Sequence, residues 1–261
     1  MQILDSFLHP VIKPSEDGLF NISNDLLFKN LEYLKKQMSF NNIVKSNVIL
    51  FNNELVESLP LNYKDFFYFS VLASFREYKS DDYFEILIKK NVKNIVFHPY
   101  LQNIKKRDWN DCVEFVKKAE RLGFIITICT AYGSKKIYDI DILPFALHIA
   151  NNVKSPIIFS HCGGLKILDA MLIAENFKNI YFDTSFSLSY WVGSSVEKDI
   201  AFVINKIGVN RFLFGSDFPF VDISKAIEDQ IIFLNKWKFS SNETELVMKI
   251  NAEELFSRFF L

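Results

Sequence analysis

The stretch DWNDCVEFVKKAERLGFIITICT, Asp108 to Thr130, contains one complete helix-to-strand unit. Cys112, Phe115, Val116, Ala119 and Leu122 fall on one helical face, at i, i+3, i+4, i+7 and i+10, and Lys117, Lys118, Glu120 and Arg121 cover the rest. Asp108 suits the N-cap, and Gly123 stands where helices end on a left-handed residue. The run Ile125 to Cys129 follows at once. It is short, apolar and β-branched, as a strand buried on both faces reads.

The same unit recurs along the chain. Apolar runs at Ile3 to Leu8, Ile43 to Phe51, Phe66 to Ala73, Ile95 to Phe97, Pro156 to Ser160, Ile180 to Asp183 and Phe212 to Phe214 have the same character. Helical spacing appears over Leu26 to Met38, Asp81 to Lys90, Ile142 to Asn151, Ile167 to Asn176, Val196 to Ile207 and Ser224 to Phe239. Ser80-Asp81 and Gly208 add further helix-boundary signals. Eight strand–helix units in about 240 residues match a (β/α)8 barrel of the α/β class, with residues 1–261 forming one domain. An open doubly wound sheet shares the alternation, and the strand count favours the barrel. A last helix, Asn242 to Arg258, is expected to pack outside the barrel or across one end.

Composition narrows the function. A chain that is 49% hydrophobic and 23% charged can bury a large core and is not disordered. Its 30 Lys and Arg against 31 Asp and Glu give a net charge of −1, without a basic protein's general attraction for nucleic acid. Three cysteines are too few for a disulfide framework and point to a reducing compartment. The N-terminus shows no basic stretch followed by an apolar run, and the longest apolar runs fall far short of the roughly 20 residues that span a bilayer. The expectation is a cytoplasmic protein with a small-molecule substrate and no nucleic-acid or membrane partner. A homo-oligomer stays open.

In a barrel the chemistry stands at the C-terminal ends of the strands. Read in order, those ends carry His9, then Ser74 and Arg76, His98, Cys129-Thr130, His161, Asp183-Thr184-Ser185 and Ser216-Asp217. Three of the four histidines sit there; His148, on a helix, reads as a surface or packing residue. Asp217 could also cap the segment that follows it, and Cys129 could be a small buried hydrophobe. Arg76 is a candidate anchor for a substrate carboxylate, because a guanidinium pairs with one in bidentate fashion. It could equally pair with Glu77 or with Asp81-Asp82. Tyr100, Tyr132 and Trp191 are candidate apolar contacts, and residues 10–24 and 131–141 candidate pocket walls.

Ser160-His161-Cys162-Gly163-Gly164 and Arg211-Phe212-Leu213-Phe214-Gly215-Ser216-Asp217-Phe218-Pro219-Phe220, in this order, resemble the motifs of the amidohydrolase-related family. These proteins are metal-dependent hydrolases and decarboxylases built on TIM barrels. Ile95 to Tyr100 looks like that family's fourth strand, Asn251 to Phe256 like its closing helix, and Asp5 to Pro10 sits where its first strand does.

The resemblance implies a divalent metal held by a His-x-His pair on strand one, a His on strand five and an Asp on strand eight, with the strand-six His as acid, base or polariser. It also implies that His98 faces the barrel mouth as a substrate contact. This sequence departs from the pattern twice. Phe7 takes the first place of the pair, in Phe7-Leu8-His9, and Cys129 stands at the strand-five position. Phenylalanine cannot ligate, whereas a thiolate binds zinc well. His9, Cys129 and Asp217 are therefore the candidate ligands, with zinc the first choice of metal and a metal-free site the alternative.

The expected function is hydrolysis of a small carboxylated substrate or a cyclic amide or ester (lactone). In it Asp217 is the general base, His161 the polarising or acid group, and His98, Arg76 and Tyr100 the substrate contacts. A decarboxylase of the same family and a non-catalytic binding scaffold are the competing readings.

Overall fold

Eight parallel strands follow one another around a single sheet: β1 (Ile3–Leu8), β2 (Ile43–Leu50), β3 (Phe67–Leu72), β4 (Val92–Phe97), β5 (Ile125–Cys129), β6 (Ile157–Ser160), β7 (Ile180–Asp183) and β8 (Phe212–Leu213). The computed structural model describes residues 1–14, 16–59, 61–77, 82–131, 135–136 and 138–260. Each strand pairs parallel with the next, for example Asn47 with Tyr68 and Ile128 with Phe159, with register shifts between β1 and β2 and between β3 and β4. The ring closes through backbone bonds between β1 and the chain leaving β8: Ser6 N–H to Phe214 O (2.8 Å), Asp217 N–H to Phe7 O (2.8 Å) and His9 N–H to Phe218 O (2.8 Å). The architecture is a (β/α)8 barrel, not the open sheet that shares its alternation.

The expected strands are present within a few residues, because short β-branched runs buried on both faces have few other stable placements. The quoted unit becomes the helix Trp109–Arg121 and the strand β5. Cys112, Phe115, Val116 and Ala119 are buried against the sheet, and Gly123 adopts a φ of +74°. The Ser80-Asp81 cap lies outside the described residues.

The last helix runs where expected, Ser241–Glu245 continuing through a π-helical turn over Leu246–Ile250 into Asn251–Ser257. Asn251 Nδ2 donates to the carbonyls of Val209 (2.9 Å) and Phe212 (2.8 Å). Ala252, Leu255, Phe256 and Phe260 pack on Leu4, Tyr68, Ile125 and Ile158, near the strand starts. This helix therefore plugs the end of the barrel away from the strand C-termini, leaving the other end for a site.

Arg211, the first residue of the second motif, is buried on the same side. Its guanidinium donates to the carbonyls of Ile180 (2.7 Å), Ala174 (3.0 Å) and Phe177 (2.9 Å), tying the entry of β7 to the end of the preceding helix.

Candidate active site

The barrel interior is polar just below its open mouth. Asp183, at the end of β7, accepts from Ser6 Oγ and from the Ser185 N–H (2.9 Å). Asp5 accepts from the N–H groups of Phe7 (3.2 Å) and Ser216 (2.9 Å). Both carboxyls are fully buried, and burial raises both pKa values, that of Asp5 to about 7. Gly215 is required by this crowding: a Cβ there would lie 2.5 Å from Asp183 Oδ2 and 3.0 Å from Phe7 Cβ.

Above this floor lies a cavity of about 310 Å3. His9, His98, Cys129, His161 and Asp217 all reach it, so the barrel gathers strand-end residues that are far apart in sequence. Tyr100 and Trp191 line it, while Tyr132 lies outside the described residues. Its remaining walls are largely aromatic: Phe7, Phe51, Phe186, Tyr190 and Phe220. The sequence reading missed Phe51, Phe186 and Tyr190 as site residues. The available signal was positional, since Phe51 closes the second apolar run and Phe186 follows Asp183-Thr184-Ser185.

Several of these side chains hang on strained backbone. His161, Cys162, Phe186 and Asp217 have positive φ values of 63°, 54°, 60° and 60°. Such positions cost of order 1–3 kcal/mol each and persist only where surroundings hold them, as they do at functional sites. Here the holding bonds are Ser187 Oγ to His161 O (2.6 Å), Gly163 N–H to Thr130 Oγ1 (2.8 Å) and Asp217 N–H to Phe7 O (2.8 Å). Of the two glycines after His161, Gly164 lines the cavity. Gly163 is needed for packing, because its Cβ would meet Ala170 Cβ at 2.8 Å.

The polar groups fall into two sets. In the first, His9 Nε2 meets Asp217 Oδ1 at 3.3 Å. In the second, His98 Nε2 lies 3.4 Å from Cys129 Sγ, and His161 acts electrostatically on the same sulfur. The Phe7 ring stands between the sets, its centroid 5.4 Å from that of His9 and 5.1 Å from that of His161.

Burial opposes a charged His161, but Cys129 beside it, with Asp217 and Asp183, pushes its pKa up to about 10. Burial likewise opposes a Cys129 thiolate, and His98 and His161 outweigh it, holding the thiol well below its usual range.

A catalytic metal needs about three converging protein donors. Among the described residues no group of three His, Cys, Asp or Glu side chains could hold a metal ion. Of the candidate ligands, His9 and Asp217 are paired with each other and Cys129 belongs to the other set, beyond Phe7. These residues do not fit a divalent ion.

Arg76 is not brought to this cavity. Its guanidinium bonds the carbonyls of Gln102 (2.7 Å) and Asn103 (3.3 Å) and the Asp108 carboxylate (3.0 Å). The reading of Arg76 as a carboxylate anchor is corrected on that ground: its donors are spent on the loop after β4. Its ion-pair partner is Asp108, and Asp81 lies outside the described residues. His148 packs against Trp109, with ring centroids 5.4 Å apart. No helix among the described residues is long and apolar enough to cross a membrane.

Solved structures of similar shape include an uncharacterized TIM-barrel protein from Bordetella bronchiseptica, 17% identical, with a TM-score of 0.75 over 99% of both chains. A protein described as a probable 2-pyrone-4,6-dicarboxylic acid hydrolase from Acinetobacter baumannii is 15% identical, with a TM-score of 0.71 over 98% of this chain and 100% of that one. A 2,6-dihydroxybenzoate decarboxylase from Rhizobium is 14% identical, with a TM-score of 0.69 over 99% of both chains. At such identities the likeness establishes the barrel alone. A search of curated protein sequences found no match. The family model described as amidohydrolase matches residues 81–258, more than half of the sequence and including both motifs and the closing helix. The chain belongs to the amidohydrolase family.

Proposed function

We propose that the protein is a hydrolase of small ring-bearing esters or amides, lactones above all, with Asp217 as general base and His161 as the acid that polarises the scissile carbonyl. The observation that supports this reading is a carboxylate and an imidazolium lining one aromatic-walled cavity. Adding water to an acyl carbon calls for a base that takes the water proton and a positive group where the carbonyl oxygen gains charge.

Asp217 is oriented by its contact with His9 (3.3 Å). His161 Nδ1 faces the carbonyl oxygen of Ser185 (3.0 Å), so Nδ1 carries a proton and donates to it. With a pKa near 10, the ring also carries a proton on Nε2 at neutral pH. That proton polarises the carbonyl and then passes to the leaving oxygen or nitrogen. Aromatic walls exclude water and strengthen both interactions.

Substrate selection follows from the lining. Among the described residues no Lys or Arg lines the cavity, so a dicarboxylate has no cationic clamp and at most one carboxylate could meet an imidazolium. Phe51, Phe186, Tyr190 and Trp191 suit a flat ring.

Hydrolysis of a panel of aryl lactones and their amide analogues, beginning with dihydrocoumarin, tests the reading. Wild-type turnover that falls roughly 100- to 10,000-fold in both Asp217→Asn and His161→Gln supports it. Saturable binding of these lactones with no turnover by the wild type would replace it with the binding-scaffold reading.

A further inference from the structure

A second cavity, of about 490 Å3, lies at the same end of the barrel. It forms where β2, β3 and β4 end, from Asn52, Asn53 and Glu54 after β2, Leu72 to Glu77 at the end of β3 and beyond it, and Gln102 in the loop after β4. Its size is that of an ordinary small-molecule site, roughly 300–1,000 Å3. Phe51 is the one described residue that lines both cavities. Its ring centroid lies 5.0 Å from that of His9 and 5.8 Å from that of His98, on the catalytic side. Phe20, 5.5 Å from it, lines the second cavity. The two cavities therefore lie side by side, with one aromatic side chain between them.

Their linings differ in kind. Aromatic rings wall the first, whereas neutral amides and a hydroxyl line much of the second. These groups are held in place. Asn53 Nδ2 donates to Ser74 Oγ, and Asn53 Oδ1 accepts from the Tyr83 hydroxyl (3.3 Å). Gln102 is fixed between Ala73 O (2.7 Å) and the His98 N–H (2.9 Å). Asn52 Oδ1 accepts the Glu54 N–H (2.9 Å), which orients its amide.

Charge selects what such a cavity can hold. Arg76 is the one cation among its described lining residues, and its guanidinium is committed to Asp108 and to the carbonyls of Gln102 and Asn103. Glu54 and Glu77 are exposed at the rim. A carboxylate or phosphate would meet two carboxylates there and no uncommitted cation. A sugar hydroxyl suits the lining, because it donates and accepts at one atom, and amide and hydroxyl side chains answer both needs. Phe20 and Phe51 add ring faces, negative at their centres, for the C–H groups of a sugar.

We propose that the second cavity is a sugar subsite, which takes a glycosyl substituent of a substrate whose flat ring lies in the catalytic cavity, with Phe51 as the wall the two parts share. The proposal rests on the hydrolase reading for the position of the ring, and adds the class of group that the ring carries.

Isothermal titration of the whole protein tests it with two coumarin lactones glucosylated at different ring carbons, methylumbelliferyl β-D-glucoside and esculin. Their aglycones, methylumbelliferone and esculetin, are the references. At least one glucoside should bind about tenfold more tightly than its aglycone, the effect of one or two net hydrogen bonds. Asn52→Ala should reduce that preference at least about threefold, and Ser74→Ala provides a second variant if the first does not fold.

Glucosides that bind no better than their aglycones overturn the proposal and leave the hydrolase reading standing. So does a preference that both variants keep in full, which would place the sugar elsewhere. Tighter binding of an aminoethoxy coumarin than of either glucoside also overturns it, because Glu54 and Glu77 would then make the cavity an amine site. A glucoside that binds and weakens in the variants, while neither aglycone binds, keeps the sugar subsite and overturns the placement of the ring on which the hydrolase reading depends. Binding of none of them overturns both.

Discussion

Replacing Asp5 by Asn should stabilise the protein above neutral pH and change its stability much less in mild acid. Asp5 is fully buried beneath the site, and Oδ2 has no hydrogen-bond partner. Burial, with Asp183 adding to it, raises its pKa from the ordinary 3.8 to about 7 against the pull of the Ser216 and Phe7 hydrogen bonds. Between those two values the folded carboxyl keeps a proton that the unfolded one has released. Folding then binds protons, and stability falls as pH rises through the window. The slope is about 1.4 kcal/mol per pH unit for one proton, so wild type loses about 2 to 3 kcal/mol from this group between about pH 5 and pH 8.

Asparagine does not titrate, and its Oδ1 can accept from Phe7 and Ser216 as Asp5 does. Urea unfolding of both proteins across that range gives the difference directly, and titrations elsewhere cancel in it. The variant should gain about 2 to 3 kcal/mol on wild type from the acid end to the alkaline end. Parallel stability curves would refute the reasoning, because they would mean that Asp5 is ionised in the folded protein as readily as in the unfolded one.

Arg211→Met should cost about 3 kcal/mol, from three carbonyls losing their donor at about 1 kcal/mol each, and lower the melting temperature by roughly 6–12 °C. A shift under about 2 °C would show that water replaces the guanidinium. Asp217→Asn should lower kcat far more than it changes KM, because its carboxylate acts on the attacking water; a KM effect alone would make it a binding group. Phe7→His places a donor beside His9 and Asp217, where the aromatic ring now separates the sets. Purified with zinc and desalted, that variant should retain metal near about one ion per chain and more than wild type retains, measured by elemental analysis. Equal zinc in both would show that Phe7 is not what keeps the donors apart.

The architecture was legible because it depends on local patterns. Ile125 to Cys129 is apolar on both faces and too short for a helix, and Gly123 and Gly208 end helices where the left-handed turn demands it. The extent of the last helix was legible too, but its π-helical turn and the Asn251 bonds to Val209 and Phe212 were not, since they depend on what lies across the barrel floor. Strand-end placement pointed to His9, His98, His161 and Asp217. It also pointed to Arg76, because a residue just past β3 reads the same whether its side chain turns into the mouth or toward Asp108.

The sequence by itself determined the barrel, the family motifs and the two departures, Phe7 and Cys129. Those are questions of residue type and periodicity, which neighbours along the chain settle. Only the tertiary structure decided that His9 pairs with Asp217, that Cys129 lies against His98, and that Phe7 stands between His9 and His161. The physical reason is that charge and proton position depend on distances of a few ångströms between strands far apart in the chain. At that range a buried side chain is inert or polarised according to which groups face it.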